Sequence, residues 1–94
     1  MTIGVLHMDF LTTGAQSLKD KRRVVKSLKD QLQSRFNCAV AETAHQDLWQ
    51  RARISVCVLS NESRHANAQL TEIGRFAEQR ANALMINHEI EMIG

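Results

Sequence analysis

The chain has 94 residues, a net charge of +2 and no proline, and 44% of its residues are hydrophobic. A chain of this length builds one small domain around a modest core and leaves little room for a deep substrate cavity. We therefore expect a single domain over residues 1–94. No apolar run approaches the ~20 residues that a membrane span needs, and no leader pattern is recognisable, so we expect a cytoplasmic protein.

The charges are segregated along the chain. Between Ser17 and Phe36 lie seven basic residues and two acids, a local net charge of +5. The other residues carry five basic side chains and eight acids, a net charge of −3. A positively charged segment attracts polyanions, so this segregation points to a negatively charged partner.

The first predicted element is a strand from Thr2 to Leu11, where polarity alternates from residue to residue. One face carries Gly4, Leu6, Met8 and Phe10, and the other carries Ile3, Val5, His7 and Asp9. The segment from Ser17 to Asp20 resembles a capping box and predicts the start of a helix. Apolar residues then recur at helical spacing: Leu18, Val25, Leu28, Leu32 and Phe36. A separate basic stripe is expected to face water: Lys19, Arg22, Lys26 and Lys29.

Two further strands are predicted to form a hairpin. The segment from Cys38 to Thr43 is short and rich in small or β-branched residues, and Arg51 to Ser60 alternates regularly. A symmetric hairpin sets three pairs opposite each other: Glu42 with Arg53, Val40 with Ser55, and Cys38 with Cys57. Two cysteines are too few for a disulfide framework or a structural zinc site, so we expect two reduced thiols.

The last predicted elements are a second helix and a fourth strand. Ser60 and Asn61 are expected to cap the helix, and Gly74 in its middle suggests close backbone packing at that point. The strand from Leu84 to Ile93 alternates again, with two predicted faces: Leu84, Ile86, His88 and Ile90 against Met85, Asn87, Glu89 and Glu91.

The order of elements predicts an α+β fold, the ferredoxin-like β-α-β-β-α-β sandwich. This architecture has a four-stranded antiparallel sheet, in the strand order 4-1-3-2, with both helices on one face. Ten residues are expected on the uncovered face: Ile3, Val5, Val40, Cys57, Leu59, His7, Asp9, Glu42, Arg51 and Arg53. Because part of that face is apolar, we expect a homodimer that forms through the open sheet face.

Three segments carry a resemblance to a known family. They are "SLKDKRRVVKSLKDQL" from Ser17, "VAETAHQDLWQRA" from Val40, and "SN" at Ser60 and Asn61. Together they resemble the signature segments of the YlxP-like family, small bacterial proteins classed as a domain of unknown function. The resemblance covers nearly the whole chain, implies a ferredoxin-like fold and brings no catalytic activity with it. In many bacteria a gene of this family lies beside translation factors and ribosome-binding factor A, which suggests ribosome or RNA work by association only.

The leading functional hypothesis is a non-enzymatic, RNA- or ribosome-associated factor. Phosphates would be bound by cations of the first helix: Lys19, Lys21, Arg22, Arg23, Lys26 and Lys29. The hairpin would contact the partner through a second set of residues: His45, Gln46, Asp47, Trp49, Arg51 and Arg53. For Trp49 two interpretations stand, a base-stacking platform or a hydrophobic plug over the core, and the plug is preferred.

Two alternatives remain beside the leading hypothesis. The first is a homodimeric scaffold or protein-interaction module whose basic helix is incidental. The second and weaker one is a small-ligand enzyme that uses His45 and Asp47. A metal site needs three or four converging ligands, and neither the His7 and Asp9 pair nor the His45 and Asp47 pair has an evident third. The chain also lacks a glycine-rich phosphate loop, so we expect no cofactor, no metal and no enzymatic activity.

Overall fold

The computed structural model describes all 94 residues as six elements. In chain order they are β1 (Thr2–Leu11), α1 (Leu18–Arg35), β2 (Ala39–Ala44), β3 (Arg51–Ser60), α2 (Ser63–Arg80) and β4 (Leu84–Ile93). The four strands form one sheet in the order β2-β3-β1-β4, and every neighbouring pair is antiparallel. The predicted ferredoxin-like fold is confirmed, and so is the expected strand order.

The core lies between one face of the sheet and the two helices. Along β1, buried and partly exposed residues alternate without interruption, as the sequence predicts. The buried cluster draws its members from three groups of elements: Leu6, Met8 and Phe10 of β1, Ala52, Ile54, Val56 and Val58 of β3, and apolar residues of both helices. Both helices therefore cover the same face, and the opposite face of the sheet is left uncovered.

The hairpin register differs from the symmetric one that the sequence suggests. Val40 lies opposite Val56, Glu42 lies opposite Ile54, and the register shifts again before Ala44. A slip of one residue moves a side chain to the other face of a sheet, so Val40 and Glu42 point toward the helices instead of the open face. The physical reason is burial, because this register packs Val40 against the core. The expected pair of Glu42 with Arg53 is wrong.

The same shift separates the two cysteines. Cys57 pairs with Ala39 and shares the open face with it, whereas Cys38 packs against the core near the carbonyl oxygen of Leu32, 3.7 Å from its Sγ atom. The two thiols are therefore not opposite each other, and the expected pairing of Cys38 with Cys57 is wrong. Both cysteines are free. Burial, with a smaller contribution from the charge of Cys57, raises the pKa of the Cys38 thiol.

β4 is also less regular than its sequence suggests. Asp9 pairs with Asn87, but the next residue of β1, Phe10, pairs with Met85, so Ile86 is an extra residue in the strand. This bulge moves Met85 onto the helix-facing side, where it packs against the core. The expected single alternation from Leu84 to Glu91 is wrong on the N-terminal side of the bulge.

Glycine permits a close approach between α2 and β1, but at Gly4 and not at Gly74. A Cβ atom added at Gly4 would lie 2.8 Å from Cδ1 of Leu70, closer than atoms in a core approach. At Gly74 the nearest atom would be Cδ2 of Leu6 at 3.5 Å, an ordinary contact. The expectation of tight packing at Gly74 is therefore wrong.

The two helices begin in different ways. The Ser17 side chain accepts a hydrogen bond from the backbone N–H of Asp20, as in a capping box, but Asp20 accepts its own bond from the N–H of Gln16, the residue before the cap. α2 has Glu62 at its cap position without a side-chain hydrogen bond, so the expected cap at Ser60 and Asn61 is wrong. Neither helix combines the length and the apolar character needed to cross a membrane.

Candidate nucleic-acid interface

The exposed side of α1 carries a row of cations with few acidic partners. Lys26 forms an ion pair with Asp30, one turn along the helix, at 2.7 Å. Four other cations have no carboxylate within ion-pair distance: Lys19, Arg22, Arg23 and Lys29. Positive charges in the first turns of a helix oppose its dipole, so helix stability does not explain them. The row therefore forms a positive surface that is open to an external anion.

Lys21 does not belong to this surface, although the sequence suggests a phosphate-binding role for it. The residue is 0% exposed. Its Nζ atom lies 2.6 Å from Oε2 of Glu42 in an ion pair that lacks the alignment of a good hydrogen bond. Nζ also donates a hydrogen bond of 2.6 Å to the carbonyl oxygen of His45. With its charge neutralised and enclosed in this way, Lys21 cannot reach a phosphate, and the expectation for it is wrong.

The loop between β2 and β3 is anchored through its backbone. His45 has a left-handed backbone, with φ of 65°, and its carbonyl oxygen accepts hydrogen bonds from Lys21 and from the N–H of Leu48. At the other end of the loop, the buried Thr12 donates from its N–H to the carbonyl of Gln50 and from Oγ1 to the carbonyl of Trp49. The loop is thus held by α1 on one side and by the end of β1 on the other.

The side chains of this anchored loop all point outward. All six residues from His45 to Gln50 are exposed. Trp49 is 41% exposed and Leu48 is 48% exposed, and neither belongs to the hydrophobic core. The preferred interpretation of Trp49 as a core plug is therefore wrong. A shallow cleft of about 340 Å³ lies beside it, lined by Leu11, Thr13, Leu48, Trp49, Gln50 and Arg51.

The structure does not assemble His45 and Asp47 into a chemical site. Both are exposed, and neither side chain makes a hydrogen bond or an ion pair. No group of three or more His, Cys, Asp or Glu side chains has a geometry that could hold a metal ion. His45 and Asp47 are therefore not hydrogen-bonded to each other at the hairpin tip.

Arg53 lines a cleft with His45 and Arg51, and its side chain is engaged there on the open face of the sheet. Its guanidinium forms ion pairs with Asp9 at 2.9 Å and with Glu89 at 2.6 Å, and Asn87 donates to the same Asp9 carboxylate at 3.3 Å. The hydrogen bond to Glu89, followed by the contacts with Asp9, raises the pKa of Arg53 further. With two carboxylates already bound, this side chain is unsuited to the partner contact that the sequence suggests.

A second polar chain runs across the same face. The Nδ1 atom of His7 lies 2.7 Å from Oγ of Ser55, which in turn lies 2.7 Å from Oγ1 of Thr43. The other ring nitrogen of His7 lies 3.3 Å from a carboxylate oxygen of Glu91. Because His7 and Asp9 have separate partners, they do not form the paired site that their spacing allows.

The open face is therefore acidic where α1 is basic. Three acids lie there, Asp9, Glu89 and Glu91, against the two arginines Arg51 and Arg53, so the face has a net charge of −1. A polyanion is therefore attracted by α1 and not by this face. The sequence already separates acidic from basic segments, and the fold places the basic helix and this acidic cluster on opposite sides of the sheet.

Fold and surface together define a small ferredoxin-like domain with a basic helix beside an anchored hairpin. The chain belongs to the family described as "Protein of unknown function (DUF503)", whose model matches residues 3–90. It is similar to the "Uncharacterized protein YlxP" of Bacillus subtilis (strain 168), with 29% identity over 76 residues, 81% of this chain and 83% of that protein. The resemblance to the YlxP-like family is thereby confirmed.

Solved structures resemble the chain in shape. The designed protein LFR1 1 with ferredoxin fold has a TM-score of 0.49 and 17% identity, covering 97% of this chain and 85% of its own. A mutant of SnoaB, a cofactor-independent oxygenase from Streptomyces nogalater, has a TM-score of 0.48 and 8% identity, with 99% and 91% covered. At such low identity, neither likeness bears on activity.

Proposed function

We propose that the protein is a non-enzymatic, RNA- or ribosome-associated factor that binds phosphates through the exposed side of α1. The observation that carries this proposal is the row of cations without acidic partners: Lys19, Arg22, Arg23 and Lys29. Neighbouring like charges repel each other in the free protein. A phosphate backbone relieves this repulsion and releases its own condensed counterions on binding.

The anchored hairpin supplies the second half of the proposed interface. It lies at the N-terminal end of α1, because Lys21 of that helix bonds directly to the His45 carbonyl. Trp49 presents an exposed indole from a backbone held by Thr12, so little conformational freedom is lost when a base stacks on it. Stacking of a base on an aromatic side chain contributes about 1–3 kcal/mol. The gene neighbourhood implied by the family resemblance agrees with an RNA partner.

The phosphate contact is tested with a pair of matched double variants. The double variant Arg22→Gln and Arg23→Gln removes two cations of α1, and the control Arg64→Gln and Arg75→Gln removes two exposed arginines of α2. Co-sedimentation with ribosomal particles and anisotropy of a labelled single-stranded RNA are measured over a salt series. The α1 variant should bind more weakly, and its slope of log K against log salt should flatten by about 1.4, since each single-strand contact contributes about 0.7. Equal binding by both variants at every salt concentration would contradict the proposal.

The hairpin contact is tested through the fluorescence of Trp49, the only tryptophan in the chain. Unpaired RNA should quench this fluorescence, and Trp49→Ala should weaken binding by about 1–3 kcal/mol, whereas Trp49→Phe should retain part of it. The free energy of unfolding of the alanine variant should fall by less than the ~3–5 kcal/mol that loss of a core tryptophan costs, because the side chain is 41% exposed and lies outside the core. Leu48→Ala is the neighbouring control, since it removes apolar surface without removing a stacking platform. Normal RNA binding without quenching would limit the interface to α1.

A further inference from the structure

β4 forms an uncovered edge of the sheet. The strand order leaves β2 and β4 as the two outer strands, and β4 has ten residues where β2 has six. Backbone N–H and C=O groups that point away from the sheet along such an edge are a template for another strand. At about 3.4 Å per residue, β4 offers an edge roughly 34 Å long.

Exposed apolar side chains are concentrated on this strand. Nine large hydrophobic residues of the chain are exposed, and five of them belong to β4: Leu84, Ile86, Ile90, Met92 and Ile93. Their exposed fractions range from 38% to 63%. Ile90 also borders a cleft of about 190 Å³ between β4 and α2, whose floor includes Leu6 and Gly74. An edge of this length and character is expected to be covered.

The usual protections of an edge strand are weak here. β4 contains no proline. Its two acids are already engaged by inner strands, Glu89 by Arg53 at 2.6 Å and Glu91 by His7 at 3.3 Å. The bulge at Ile86 interrupts the strand near its start and leaves the remainder, residues 87–93, in one continuous register. Repulsion between free charges therefore does little to prevent pairing.

We infer that a second copy of this chain covers β4, pairing antiparallel along the strand edge so that two sheets join into one of eight strands. A two-fold axis relates such copies, so the same strand must complement itself. Pairing over the continuous stretch of residues 87–93 is centred on Ile90, so Ile90 lies opposite Ile90 of the partner subunit. The same pairing sets Glu89 opposite Glu91 of the partner subunit, two acids that Arg53 and His7 already contact within each copy.

This interface differs from a dimer through the open sheet face. Val40 and Glu42 are not on that face, and the part of it around Asp9 is occupied by the ion pairs of Arg53. Only the opposite end of the face, around Ile3 and Leu59, is apolar, and Leu59 is 65% exposed there. Leu59 and Ile90 therefore mark the two competing surfaces, and each can be changed without touching the other.

Sedimentation equilibrium on the full chain distinguishes the surfaces. The unchanged protein should sediment at twice the 10.6 kDa of one chain across the micromolar range. Ile90→Lys should lose the dimer, and Leu59→Lys, the same substitution on the open face, should keep it. If Ile90→Lys loses the circular dichroism of the fold, Met92→Lys takes its place.

Hydrogen exchange provides a second test, because it measures the protection of backbone amides in each β-strand separately. The outward amides of β4 should be protected in the unchanged protein and should exchange rapidly in the dissociated variant, with β1 protected in both. A monomer at every concentration would overturn the inference. Dissociation by Leu59→Lys with an intact Ile90→Lys dimer would overturn it too, and would assign the dimer to the open face.

Discussion

Lys21 is a buried cation that connects three elements of the fold, although the sequence suggests a surface position for it. It is fully buried, and it joins α1 to β2 through Glu42 and to the hairpin loop through the His45 carbonyl. A local signal for this position exists in the sequence, because Lys21 follows Leu18 by three residues and precedes Val25 by four. It therefore lies on the apolar stripe of α1 and not on the basic one.

Removing Lys21 should destabilise the fold strongly. Lys21→Met leaves the largely buried Glu42 carboxylate uncompensated, and breaking a buried pair in this way costs about 3–5 kcal/mol. The double variant Lys21→Met and Glu42→Gln should recover much of that loss, because no buried charge remains. Urea unfolding measures both free energies. Lys26→Met is the control, since its exposed pair with Asp30 contributes only about 0.3–0.5 kcal/mol. A similar loss in Lys21→Met and Lys26→Met would show that burial of the charge is unimportant.

At the scale of elements, the sequence predicts what periodicity alone determines. β1, β3 and β4 have the predicted bounds, because a strand period is visible over most of the length of each. The register of β2 depends on how the loop after His45 is built, and its left-handed residue and the shift before Ala44 leave no pattern in the sequence. The bulge at Ile86 also leaves no recognisable pattern in the sequence, since no glycine or proline lies beside it. The sequence predicts which segments carry the basic and aromatic residues of the candidate site. It does not predict where the Lys21 and Arg53 side chains lie, because their positions depend on contacts between distant elements.

The packing of α2 on β1 gives a paired prediction for two glycines. Gly4→Ala should destabilise by about 1–3 kcal/mol, because the new methyl group would collide with Leu70 inside a dense core. Gly74→Ala should stabilise by about 1 kcal/mol, because alanine is the better helix former and its Cβ atom fits at an ordinary distance. Thermal unfolding should therefore shift in opposite directions, by about 4–8 °C per kcal/mol for a domain of this size. A loss of stability in Gly74→Ala would mean that α2 cannot tolerate a side chain there.

At the scale of the whole molecule, charge is separated between two sides that act independently. The shortest dimension of the molecule is 17 Å, about twice the screening length of ~8 Å at physiological salt. The acids of the open face therefore weaken the field of α1 only slightly. The inferred β4 edge lies between the two sides, so joining two copies there would extend the basic layer and the acidic face together. A dimer of this kind would present two α1 surfaces on one side.

This separation predicts that the position of charge, and not the net charge, governs RNA association. The double variant Arg22→Gln and Arg23→Gln lowers the net charge of +2 by two. Adding Glu72→Gln and Glu78→Gln, two exposed acids of α2 without ion-pair partners, restores the original net charge. If α1 makes the phosphate contacts, the fourfold variant should bind RNA almost as weakly as the double variant, with the same flattened salt slope, because neither lost contact returns. The variant Glu72→Gln and Glu78→Gln alone is the control, and it should bind with the original slope. Anisotropy over a salt series compares the four proteins, and recovery of full affinity in the fourfold variant would assign the association to net charge instead of to α1.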